Sequence, residues 1–205
     1  MPESRPEHVS YTRREWGENG YYKNITQFLD SHRIKSFLDI GSNVGEVANI
    51  FFETIQSIEH FYLIEPQKDN FLFLKENTKH IRNCSYYDVG IYYGKSESKL
   101  FQHPSWKNVG AYTIEGMCQH FISTEETILL KTLEELNLPI VDFVKIDVEG
   151  CEYNIIENSS YLKTVKFIEI EFHNYDINIS DFIRKNLPSH KIEIFGLNHI
   201  LLGKI

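Results

Sequence analysis

Residues 38–45, LDIGSNVG, constrain this chain more than any other stretch. They follow an apolar run and precede Val47, Ile50, Phe51 and Ile55 at helical spacing. A second apolar run, residues 60–64, ends on Glu65. Strand, glycine turn, helix and a second strand tipped with a carboxylate make up half of a doubly wound, Rossmann-like unit. Such a unit binds a nucleoside beyond the carboxyl ends of its strands.

The rest of the chain repeats the alternation. Apolar runs predict strands over 84–89, 141–148 and 165–172, with a closing antiparallel hairpin of 191–195 and 200–204. Helices are predicted over 24–33 with Asn24 as N-cap, 44–56, 66–80 with Phe71, Leu72 and Leu74 inward, 151–158 and 180–187. Thr132 and Glu135 have capping-box spacing before a short helix. This order predicts an α/β three-layer sandwich around a mostly parallel sheet. Residues 24–205 form a single domain. Residues 1–23 are a separate N-terminal segment, where Trp16, Tyr21 and Tyr22 provide a candidate lid or, more simply, packing groups. Residues 90–127 are long for a connection, so a function or a small sheet of their own is expected. There His103, Trp106, Lys107, Asn108 and Tyr112 are of types that suit sugar recognition.

The 205 residues suffice for one full hydrophobic core. A formal charge of −8 argues against a general nucleic-acid-binding surface. Cys84, Cys118 and Cys151 are far apart and contain no CxxC pair, so neither a disulfide framework nor a zinc finger is expected. The polar start, MPESRPEHVS, lacks the apolar core of a secretory signal. No stretch approaches the roughly 20 apolar residues of a membrane span. A cytoplasmic protein without a membrane partner is expected.

The glycine turn discriminates between cofactors. A dinucleotide pyrophosphate calls for G-x-G-x-x-G, but Asn43 stands between Gly41 and Gly45 where the second glycine belongs. Asp39, two residues before Gly41, sits badly beside a phosphate and well beside a cation. S-adenosylmethionine (SAM) offers a sulfonium and an ammonium group and no phosphate. Glu65 has the two carboxylate oxygens needed for both ribose hydroxyls. An NAD-dependent dehydrogenase is the weakest reading.

Four blocks, LDIGSNVG, LIEPQKDNFLFLKEN, VDFVKIDVEGCEYNIIEN and FIEIEFH, resemble the successive blocks of the FkbM-type SAM-dependent methyltransferases. The resemblance implies a class I methyltransferase fold with a seven-stranded sheet. It also implies O-methylation, often of a sugar or glycan hydroxyl. In the third-strand region, YYDVGIYYGKSES, Asp88 is the candidate contact for the adenine amino group.

Asp147 and Glu149 lie at the carboxyl end of one predicted strand, and Glu171 and His173 at that of the next. Period-two geometry puts each pair on one face, so all four are expected near one pocket. Methyl transfer to an alcohol needs alignment and a base. His173 is the preferred base, with Asp147 and Glu149 as alternatives. The same groups are candidate ligands for a divalent metal that orients a diol. Lys145 shares a face with Asp147, which predicts a salt bridge or, more sharply, a substrate contact. Gly150 permits the turn, and Glu152 favours the following helix N-terminus. Two alternatives stay open: a nitrogen or phenol acceptor, and a non-catalytic SAM-fold module that binds a partner.

Overall fold

The structure is a computed structural model that describes residues 20–102, 112–114, 122–173, 178–196 and 198–205. Strands β1 (Ser36–Ile40), β2 (His60–Ile64) and β3 (Cys84–Tyr87) alternate with helices α1 (Gly20–Ser31), α2 (Glu46–Thr54) and α3 (Lys68–Asn77). Four strands follow: β4 (Gly90–Ile91), β5 (Glu97–Gln102), β6 (Tyr112–Ile114) and β7 (Ile122–Lys131). The chain then returns through β8 (Phe143–Ile146), α4 (Glu152–Asn158), β9 (Phe167–Glu171), α5 (Ile179–Asn186), β10 (His190–Phe195) and β11 (His199–Lys204).

Seven strands pair in the order β10-β11-β9-β8-β1-β2-β3, with β11 antiparallel to both of its neighbours. The central strands are buried on both faces, which is why SFLDI and FVKI read as nearly continuous apolar runs. On one face, Phe37, Phe143 and Phe167 stand in register across β1, β8 and β9. Phe51 of α2 packs 4.8 Å from Phe37, between ring centroids, and Ile25 and Leu29 of α1 join the same cluster. Each such buried phenylalanine contributes about 2 kcal/mol. The opposite face carries Leu38, Ile40, Val144 and Ile146. It is covered by Ile155 and Ile156 of α4, Ile183 of α5, and the four-stranded sheet β4-β7-β5-β6. The architecture is the expected three-layer sandwich, with a small sheet filling part of one outer layer.

Several boundaries differ from expectation. Helix α1 begins at Gly20, so Asn24 is an exposed position inside the helix and residues 20–23 belong to it rather than to a separate segment. Trp16 lies outside the described residues, as do His103, Trp106, Lys107, Asn108 and Cys118. Helix α3 starts at Lys68 because the Gln67 side chain accepts from Asn70 N. Its inward face is set by the i, i+4 pair Asn70 and Leu74, which leaves Leu72 exposed. The capping box forms: Thr132 N donates to Glu135, and Glu135 N donates to Thr132 Oγ1, ahead of a 3₁₀ turn at Glu134–Leu136. Cys84 and Cys151 are free thiols. Among the described residues no helix is long and apolar enough to cross a membrane.

Candidate active site

Strand order reverses between β1 and β8, since β1 leads through α2 to β2 while β8 pairs on its other side. Open α/β sheets bind ligands at such a point, beyond the carboxyl ends of the strands. A pocket of about 700 Å³, counting its open mouth, lies there.

The turn at its base holds three left-handed residues in five: Gly41 (φ 88°), Asn43 (φ 49°) and Gly45 (φ 88°). Asparagine tolerates that region, so Asn43 keeps the turn where a second glycine was looked for. Gly41 is confined further, because a Cβ there would lie 1.8 Å from the Asp147 carbonyl oxygen. Glu65 locks the turn to the second strand: its Oε2 accepts from Asn43 N at 2.9 Å and its Oε1 from Gln67 N at 3.0 Å. Each oxygen keeps a lone pair for a ligand. Burial pushes this carboxyl up to about 7 against those two hydrogen bonds. The opposite wall comes from the small sheet, through Leu100, Ile114, Ile128 and Leu130. That sheet is tied to the site by Thr113, whose hydroxyl donates to the Glu149 carbonyl at 2.7 Å.

Among the described residues lining the pocket, the charged groups are Glu65, Asp147 and Glu149, with no lysine, arginine or histidine. This wall repels a pyrophosphate and suits a cation. The residues fit SAM: a carboxylate for ribose hydroxyls, apolar walls for adenine, and acids for a sulfonium or ammonium.

Two cofactor candidates sit elsewhere. Asp39 is fully buried on the face of β1 that carries Phe37 and does not line the pocket. Its neighbour is Lys145, 3.9 Å away, and burial raises it to about 6 against that ammonium. Asp88 is exposed beyond the end of β3 and is likewise not among the lining residues.

The acid–histidine group does come together. Strand β8 stops at Ile146, and residues 147–150 form a turn with Glu149 at φ 52° and Gly150 at φ 106°. His173, just past β9, brings Nε2 to 3.4 Å from Glu149 Oε2, 3.7 Å from Glu171 Oε1 and 3.9 Å from Asp147 Oδ1. Its Nδ1 lies 2.8 Å from Glu152 Oε1. Glu152 is more than a helix-start acid: it is fully buried, also accepts from Gly150 N at 3.0 Å, and so fixes both turn and imidazole.

Beneath the group, Asp39, Lys145 and Glu169 stand in register across β1, β8 and β9. Lys145 donates to Asp147 Oδ2 at 2.9 Å and is 2% exposed, so it serves as a buried ion-pair partner and not as a substrate contact. Glu169 pairs with His199 Nδ1 at 2.9 Å, and Asn198 donates to Glu171 at 2.9 Å. Glu169, Asn198 and His199 were not singled out from sequence, and Glu152 was read only as a helix-start acid. Glu169 was legible, since it precedes Glu171 and His173 at the same period of two.

The electrostatics reverse one expectation. Burial would lower His173, but the bond to Glu152 and the charges of Glu149 and Asp147 outweigh it and lift it to about 11. These charges favour the protonated ring at neutral pH, which counts against His173 as the base. Burial and the neighbouring Asp147 push Glu149 up to about 7 despite His173. Glu171 rises to about 8, from burial and then Asp147. Burial would raise Asp147, yet Lys145 and His173 hold it below its ordinary range. Ligand atoms of Asp147, Glu149 and His173 all lie within 4.8 Å of one another, close enough to share a metal ion.

Residues 39–193 match the family described as "Methyltransferase FkbM domain". No curated protein is significantly similar in sequence. Among solved structures, the chain is similar to methyltransferase FkbM from Methylobacillus flagellatus, with a TM-score of 0.55 and 13% identity. That match covers 83% of this chain and 44% of the other, so this chain spans less than half that protein's length. A precorrin-6y C5,15-methyltransferase from Geobacter metallireducens gives 0.50 and 14%, over 88% and 85% of the two chains. A methyltransferase from Geobacter sulfurreducens gives 0.51 and 11%, over 100% and 92%. At these identities the likeness establishes the fold.

Proposed function

This chain belongs to the FkbM methyltransferase family, and on that premise we propose that it transfers the methyl group of SAM to a hydroxyl of a sugar, glycan or related metabolite. The observation that carries the reading is a pocket at the sheet's switch point that is lined, among the described residues, by three carboxylates and no cation. Bound there, SAM supplies a methyl carbon made electrophilic by its sulfonium. Glu65 accepts hydrogen bonds from the ribose hydroxyls, and the apolar wall around Val89 and Ile128 receives the adenine.

Glu149 is the base. It lines the pocket, and its carboxyl, near 7, is poised to take the hydroxyl proton as the oxygen attacks. His173, already protonated, holds Glu149 and Asp147 in place. Asp147 and Glu171 present acceptor oxygens of the kind that polyols bind.

Calorimetry with S-adenosylhomocysteine (SAH) tests the donor: Glu65→Ala weakens binding at least tenfold, and unchanged affinity removes the assignment. Labelled SAM with a panel of alcohols, amines and phenols tests the acceptor. The rate on an alcohol rises with pH through about 7 as Glu149 loses its proton, and Glu149→Gln abolishes that rise. Label found only on nitrogen would overturn the hydroxyl reading.

A further inference from the structure

We propose that Asp147, Glu149 and His173 form a binding site for a first-row divalent cation of the Mn²⁺ type, beside the pocket. The contact lengths are the first reason. His173 Nε2 stands 3.4 Å from Glu149 and 3.9 Å from Asp147, from which it makes no close hydrogen bond. These separations are as wide as or wider than the edges of a coordination shell, so the three side chains draw in around the ion. Bonds of about 2.1 Å put neighbouring ligands about 3.0 Å apart in an octahedron and about 3.4 Å in a tetrahedron.

The second reason lies behind the imidazole. Glu152, fully buried, holds Nδ1 at 2.8 Å, so Nε2 is the nitrogen turned to the acids. A carboxylate on the far nitrogen is the usual support of a metal-bound histidine, and the ion displaces the Nε2 proton that the ring carries in the metal-free chain. The other oxygen of Glu152 is buried with no hydrogen-bond partner.

Charge is the third. Asp39, Asp147, Glu149, Glu152, Glu169 and Glu171 are largely buried around Lys145, His173 and His199. Fully ionised, six carboxylates against three cations leave a surplus of three negative charges, which the metal-free chain lessens by holding protons on the raised Asp39, Glu149 and Glu171 carboxyls. A buried charge without a partner is strongly unfavourable, and a divalent ion offsets most of this surplus.

One imidazole with carboxylate oxygens selects a first-row ion over Ca²⁺. Three protein ligands on a six-coordinate ion leave positions for two adjacent hydroxyls, which makes a vicinal diol the acceptor class. That last step rests on the methyl-transfer reading, with the bound ion lowering the hydroxyl's pKa in place of the free Glu149 base; the cation site does not.

The test uses the chelator-treated full chain titrated with Mn²⁺, with the free ion followed by electron paramagnetic resonance. One ion binds per chain. Glu149→Gln and His173→Asn each weaken it at least tenfold, whereas Glu59→Gln, at an exposed site, does not. In the wild type, substoichiometric Mn²⁺ broadens the His173 ring resonances, a readout that needs no folded variant. No bound Mn²⁺ at millimolar concentration, or unbroadened His173 resonances, overturns the site. SAH is titrated into the same preparation: SAH binding without Mn²⁺ sinks the cation site alone, and Mn²⁺ binding without SAH sinks only the methyl donor.

Discussion

Lys145 carries its ammonium inside the sheet, 2% exposed, with Asp39 and Glu169 beside it in register and Asp147 two residues on. Those acids outweigh the effect of burial and hold it well above the usual lysine range. Lys145→Ala leaves them facing one another, and breaking a buried pair costs about 3–5 kcal/mol. Urea denaturation measures the loss; a cost under about 1 kcal/mol would show that the acids simply take up protons. At this scale the positions of Asp147, Glu149, Glu171 and His173 were readable, because two adjacent parallel strands end level with each other. Their roles were not. The protonation of His173 depends on Glu152, 21 residues away, and an ordinary histidine pKa carries no trace of that neighbour.

Helix α3 and the small sheet meet at Glu126, an element contact that shapes the pocket. Its carboxylate accepts from the Gln67 side chain at 3.1 Å and from Lys68 N at 3.0 Å, capping α3 from β7. Glu126→Ala therefore uncaps the helix and costs about 1 kcal/mol. Hydrogen exchange at Lys68 and Asn70 speeds up as well, and unchanged protection there would show that the Gln67 cap suffices alone. Strand β2 matches its sequence-predicted bounds because central parallel strands are apolar on both faces and end where polarity returns. The start of α1 was missed, since Gly20 and its two tyrosines look like a loop until Ile25 and Leu29 are seen packed on the sheet.

Across the whole molecule, burial raises several acids: Asp39 to about 6, Glu65 and Glu149 to about 7, and Glu171 to about 8. In the folded state they keep protons that the unfolded chain has released, so stability falls as pH rises from about 4.5 to about 8. His173 acts in the same direction. Its contribution is complete below its unfolded value near 6.5 and is lost as pH rises towards about 11. Asp147 and Glu134, both lowered, work oppositely and cost stability only below about 4. Melting temperature therefore peaks in mild acid and declines between about pH 5.5 and pH 8.5. A flat or rising profile by calorimetry would contradict this charge balance.

From the chain alone came the α/β layering, the glycine turn after the first strand and the acids at the ends of β8 and β9. All of these follow from local order: apolar periodicity, one glycine turn, and a period of two along a strand. Only the tertiary structure decided that Asp39 faces Lys145 instead of the pocket, that Glu152 holds His173, and that Leu100, Ile114, Ile128 and Leu130 supply a pocket wall. Those outcomes depend on which strands stand beside which, and on the loss of water around groups distant in sequence. Burial and charge at close range then shift His173 and Glu149 away from their ordinary titration ranges, which no local pattern in the chain carries.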